Sequence, residues 1–131
     1  MSPTKREVTL RDDGDERVWV EWVANTPTPS FVQLRSERRG DELRMLALDT
    51  NELSQLRRAV EAGEDDSLAR DMGAFERVAV ERTDGFVTIT VEQLGEVERM
   101  LVLSSEEADT LLDAIARAED ELPRTEDDAY V

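Results

Sequence analysis

Chemistry in this chain must come from carboxylates, hydroxyls and arginines, because it contains no histidine and no cysteine. That removes the imidazole base, the thiolate nucleophile and the usual zinc ligands, and with them most hydrolase triads. Two acidic stretches come nearest to a site. Asp12, Asp13, Asp15 and Glu16 in DDGDE have the density of a calcium loop but lack its alternating ligand spacing and distal glutamate, so the stretch reads as a turn. Glu64, Asp65, Asp66 and Asp71 in EDDSLARD could hold magnesium weakly, but they follow a helix-ending glycine and read better as an exposed linker. A glycosidase needs two carboxylates in unlike environments, one of them apolar, and no pattern here builds that pocket. No glycine-rich phosphate loop occurs. The expectation is a non-enzyme with no metal and no cofactor.

Binding residues are easier to find. Arg35, Arg38, Arg39 and Arg44 gather on one expected hairpin, and Arg35 shares strand parity with Phe31 and Gln33, away from Val32 and Leu34. Aromatic rings and arginines on a sheet suit sequence-tolerant binding of a single nucleic-acid strand, and they suit a protein interface equally. The plainer reading is that these arginines neutralise nearby acids on a solvated hairpin. Trp19 raises a similar choice. Alternation in RVWVEW puts Val18, Val20 and Trp22 on one face and Arg17, Trp19 and Glu21 on the other, so Trp19 lies among polar residues. Either it packs beneath the preceding hairpin or the long loop, or it is an exposed anchor for a partner or a base.

Charge is divided unevenly. The chain has 16 basic and 32 acidic residues, net −16, and Lys5 is its only lysine. Residues 1–48 hold eight bases and nine acids, whereas 49–131 hold eight and twenty-three, so the excess lies in the later part. An acidic, lysine-poor surface suits hydration in concentrated salt; it would also attract a basic partner. Acids spread over most expected surface positions favour the first explanation.

The elements that position these residues occur twice. Setting Phe31 against Phe86 aligns residues 31–63 with 86–118 without a gap and with about one position in three identical, including the RML triplets at 44–46 and 99–101. This is the signature of a supersecondary unit used twice, whose copies shelter each other's apolar faces. In each copy a period-two strand (FVTITVEQ in the second) leads through Gly40 or Gly95 into a strand apolar on both faces, expected to be central. Helices follow, with Asp49 and Glu52, or Ser104 and Glu107, spaced as N-cap and third helical residue. Gly63 should end the first helix, and Pro123 follows the second. Upstream, RVWVEW at 17–22 corresponds to RVAVER at 77–82, and EVTLR adds a strand before the first copy. The stretch EDDSLARDMGAF before the second has room for one short helical turn.

The expected architecture is α+β, ββββα followed by βββα, with mostly antiparallel sheets and approximate twofold symmetry. One domain is expected over 1–124, made of repeats at 7–63 and 75–122, with a disordered acidic tail at 125–131. Over residues 7–122 this element order resembles the helix-terminated repeats of the Whirly and PUR-alpha families, which bind single-stranded nucleic acid. The resemblance is architectural and assigns no individual residue. The start of the chain lacks a signal-peptide run and no segment is apolar enough to span a membrane, so a cytoplasmic location is expected.

The function expected is a protein-interaction or regulatory module of a salt-adapted cell, binding through the first sheet at Trp19, Phe31, Gln33, Arg35, Arg38, Arg39 and Arg44. Single-stranded nucleic-acid binding is the main alternative, and an acidic decoy for a basic nucleic-acid-binding protein is a third. Met45 and Met100 should either seal the halves together or contribute to a homodimer.

Overall fold

A computed structural model describes residues 4–24, 31–62, 66–72 and 74–122, with side chains described for all of these except 51, 66–72 and 74–76. Four strands, β1 (Thr4–Asp12), β2 (Glu16–Ala24), β3 (Val32–Arg38) and β4 (Asp41–Leu48), precede helix α1 (Thr50–Ala62). Four more, β5 (Asp66–Met72), β6 (Ala74–Thr83), β7 (Phe86–Gln93) and β8 (Glu96–Ser104), precede α2 (Ser105–Glu121). The fold is α+β, with two antiparallel meanders ordered β1-β2-β3-β4 and β5-β6-β7-β8.

Two-residue turns close three of the hairpins. Arg39–Gly40, Asp84–Gly85 and Leu94–Gly95 all have positive φ at both positions, the backbone that matches the twist of antiparallel strands. Glycine tolerates this and leucine does not. Leu94, with φ 53° and 83 % exposure, gains no burial in return. Leu94→Asn should therefore raise the thermal midpoint, by about 1 kcal/mol of stability, as read by calorimetry.

Residues 66–72, expected as a linker with room for a helical turn, instead form β5, paired from Asp66↔Val80 to Met72↔Ala74. An edge strand needs little apolar patterning, and charge on it discourages unwanted pairing, which explains its weak signal. A second correction concerns β4 and β8, expected to be central: each lies at a sheet edge. Gly63, Pro123 and the tail at 125–131 lie outside the described residues.

Both helices begin at reciprocal caps. Glu52 N–H donates to Asp49 Oδ1 at 2.8 Å while Asp49 N–H donates to Glu52 Oε1 at 3.0 Å. Ser104 and Glu107 repeat the arrangement at α2. At its other end α2 stops at Leu122, whose extended backbone (φ −95°, ψ 142°) suits a residue that precedes proline.

The helices cross between the halves. α1 lies against β5 and β6 of the second sheet, and α2 lies against β1 and β2 of the first as well as its own β7 and β8. One continuous core results, joining Val18, Val20 and Trp22 to Val78, Ile89, Leu111 and Ile115. Ion pairs fix the crossing at both ends of α2. Arg11 on β1 grips Glu107 with two hydrogen bonds of 2.7 Å, reaches Glu16 Oε1 at 2.6 Å and donates to the Val102 carbonyl at 2.6 Å. At the far end Glu121 accepts from Arg6 and from the Trp22 indole, each at 3.0 Å. Between the helices, Arg57 lies 3.3 Å from Glu119.

The Arg11 guanidinium holds the Glu107 carboxyl well below its ordinary 4.5, at about 2, with the helix-cap bonds at Ser104 assisting and burial opposing. Reciprocally, the carboxylates of Glu107 and Glu16 raise the Arg11 pKa. No helix among the described residues is long and apolar enough to cross a membrane.

Candidate interaction surface

With the helices on one side of each sheet, two sheet faces point outward. On the first, alternation along β2 turns Val18, Val20 and Trp22 inward and leaves Arg17, Trp19 and Glu21 outward. Pairing then aligns Thr9, Trp19, Arg35 and Arg44 in one row across all four strands, with Glu21 and Gln33 paired beside it.

Trp19 is outward but not exposed, retaining only 4 % of its surface. Arg17 lies over its ring at 4.5 Å from the centroid, Arg35 approaches to 6.0 Å, and the indole N–H donates to Glu21 at 2.8 Å. An exposed stacking ring is thereby corrected to one roofed by its neighbours' guanidinium groups. Carboxylates hold that roof in place. Arg17 pairs with Glu7, Lys5 lies 3.5 Å from Glu21, and Arg35 bridges Glu21 at 3.6 Å and Glu42 at 3.2 Å while donating to Gln33 at 3.1 Å. These side chains enclose a polar hollow of about 270 Å³ floored by Trp19.

The other expected residues are spread along the hairpin. Arg44 is outward and exposed beside Arg35, whereas Arg38 and Arg39 are exposed at the β3–β4 turn. That turn is docked on its neighbour, the Arg39 N–H donating to the Asp15 carbonyl at 3.1 Å. Among the described residues, none pairs with the side chains of Arg38, Arg39 or Arg44. Phe31 is 53 % exposed at the opposite end of β3, on the order of 20 Å from the arginine turn at strand spacing, so the two do not form one cluster.

The acidic turn is committed to its own backbone. Asp13 Oδ1 accepts from the amides of Asp15 at 3.1 Å and Glu16 at 2.8 Å, and Asp12 Oδ1 from Gly14 at 3.4 Å.

No protein-family model and no curated protein matches this chain. Its surfaces must be read from their own chemistry.

Met45 and Met100 part company although both sit in RML. In β4 the bulge falls at Met45, between the pairs Leu34↔Leu46 and Arg35↔Arg44, and tucks Met45 into the core at 1 % exposure. The β8 bulge falls at Glu98, between Val91↔Arg99 and Glu92↔Val97, so Met100 keeps its outward parity and is 57 % exposed. Met45 also contributes to the contact between halves through its backbone, its carbonyl accepting from Arg99 Nε at 3.1 Å.

Parity in RVWVEW already marked Arg17 and Glu21 as companions of Trp19. Lys5, Glu7 and Glu42 carried no such signal, because only strand pairing brings them to the hollow.

Proposed function

We propose that this protein is a non-enzymatic interaction module of a salt-adapted cytoplasm, engaging an acidic protein segment through the outward face of its first sheet and the adjoining β3–β4 turn. The carrying observation is the set of exposed arginines, Arg38, Arg39 and Arg44, left without a described carboxylate partner in a chain where acids outnumber bases two to one. Beside them Arg17 and Arg35 are held over Trp19 by Glu7, Glu21 and Glu42, so the three exposed arginines stand next to a rigid, charge-balanced floor. Tandem duplication with approximate twofold symmetry is part of this reading: the residues identical at constant offset and the two capped helices support it.

Replacing Arg38, Arg39 and Arg44 together by glutamate should reduce capture of the native partner from cell extract at least tenfold without changing the circular dichroism spectrum. Undiminished capture of the same identified partner would refute the surface. A second reading, single-strand nucleic-acid binding, is favoured by exposed Phe31 on the same outward parity as Gln33 and Arg35. A rise in the anisotropy of fluorescently labelled oligothymidylate on adding the protein, lost in the triple variant, would select it over the protein partner.

A further inference from the structure

The outward face of the second sheet differs in kind from the first. Where the first sheet fills one row with Trp19, Arg35 and Arg44, the second has Ala79, Thr90 and Met100. The rows on either side join Glu81, Thr88 and Val102, and Arg77, Glu92 and Val97. Small side chains on β6 and β7 thus leave a shallow trough beside β8, along which Val97, Met100 and Val102 stand 42 to 57 % exposed, with Phe86 equally exposed at one end. Beyond the other end is Leu94, which costs folding stability in its left-handed backbone and returns none within the chain, as befits a residue retained for contact with another molecule. Such a continuous apolar strip on a chain this strongly charged marks a contact surface.

We infer that this trough binds a basic amphipathic helix of another protein. Charge specifies the occupant. Every basic residue of β6, β7 and β8 is already engaged: Arg77 pairs with Glu92 at 3.1 Å, Arg82 donates to the Val60 carbonyl at 3.4 Å, and Arg99 donates to the Met45 carbonyl at 3.1 Å. The acids around the strip are not. Glu81 and Asp84 stand exposed toward its Phe86 end, Glu96 and Glu98 toward its Val97 end, and no basic side chain among the described residues pairs with any of the four. An apolar strip bordered at both ends by uncompensated carboxylates complements a helix with leucine-like residues on one face and lysine or arginine beside them. The same carboxylates repel an anionic membrane surface and a second copy of this equally acidic face.

The dimensions fit one helix. Phe86 to Glu92 spans about 20 Å at strand spacing, the length of about 13 helical residues. Two strands about 4.8 Å apart make the strip roughly 10 Å wide, close to a helix diameter. Only β6, β7 and β8 are needed to form it.

A fluorescein-labelled peptide of about 14 residues, built of leucine and lysine with the leucines on one helical face, tests the inference against the full chain. Its anisotropy should rise to saturation, and the dissociation constant should increase at least tenfold from 0.1 M to 1 M KCl as the carboxylates are screened. Met100→Glu should weaken binding at least tenfold in 0.1 M KCl although it adds a negative charge, whereas adsorption by charge alone would tighten. Reversing Glu81 and Glu98 to lysine should weaken it as much at 0.1 M, with the circular dichroism spectrum unchanged in both variants. A peptide of the same composition with leucine and lysine strictly alternating should bind at least tenfold less well, and amide shift changes on titration should concentrate on β7 and β8. Replacing Arg38, Arg39 and Arg44 by glutamate should not weaken the peptide, so the outcome is separate from that of the first sheet. The proposal is overturned if Met100→Glu binds as well as wild type, if the two peptides bind alike, or if the shift changes fall on the first sheet. It is overturned equally if the chain sediments as a dimer that Met100→Glu dissociates, or binds phosphatidylglycerol vesicles in preference to the peptide, since the strip would then have a different occupant.

Discussion

Neither half of this chain should fold alone: a fragment ending at residue 64 and one beginning at 65 should each lack a cooperative thermal transition and should regain one when mixed. The reason lies in the crossing of the helices. Val18, Val20, Trp22, Val32 and Leu34 are buried to within 3 % on the inner face of the first sheet, and the helix laid against its β1 and β2 is α2, which belongs to the other fragment. Exposing buried Val, Leu or Trp side chains costs about 1.5–3 kcal/mol each. Three of them exceed the few kcal/mol that a chain of this size derives from one core. The second fragment suffers the same loss, since α1 with Leu53, Leu56 and Val60 is the helix that lies on β5 and β6. Circular dichroism and amide proton dispersion of each fragment, then of the equimolar mixture, give the measurement. A first fragment with its own sharp transition and dispersed spectrum would mean that α1 can close the first sheet and that α2 is not required to cover it.

What the sequence discloses and what it conceals follow from the range of each interaction. The strands that carry period-two alternation, such as FVTITVEQ, and the caps at Asp49 and Ser104 are legible because their physics acts over two to four residues. β5 is not legible: lying at a sheet edge, it needs no apolar stripe, and its charges look like those of a linker. The two RML triplets show a deeper limit. Identical residues occupy opposite environments because the bulge falls at Met45 in one sheet and at Glu98 in the other. Nothing within the triplet encodes where the partner strand slips. Trp19 is legible as outward but not as covered, since the depth of its cover depends on Arg35, which only the β2–β3 register places there. Arg6 and Arg11 read as ordinary polar residues of a first strand. Their partners Glu121 and Glu107 stand 115 and 96 residues away.

The Arg11–Glu107 pair yields the second large effect, and it is visible as a dependence on pH. Glu107 titrates near 2 in the folded protein against an ordinary 4.5. A depressed carboxylate contributes stability that is complete above its unfolded value and is lost as pH falls from about 5 toward 2, where the proton that displaces Arg11 binds. The shift corresponds to roughly 3 kcal/mol, and the pair is three-quarters or more shielded from water, with 23 % and 17 % of the two side chains exposed. Acidification has an opposing consequence in so acidic a protein, because neutralising carboxylates relieves the repulsion of a net charge of −16. The difference between two proteins is therefore the informative curve. Glu107→Gln keeps a side chain able to cap α2 but removes the ion pair. Its urea-unfolding free energy should lie about 2–3 kcal/mol below wild type at pH 7, and the gap should narrow from pH 5 downward and nearly close by pH 2. Arg11→Met should cost at least as much at pH 7, because it leaves a partly buried carboxylate without its cation. In the double variant the losses should fall well short of additive. A gap that stays constant from pH 7 to pH 2 would show that Glu107 holds α2 through its cap alone, and that the clasp between β1 and the second helix contributes nothing to the union of the halves.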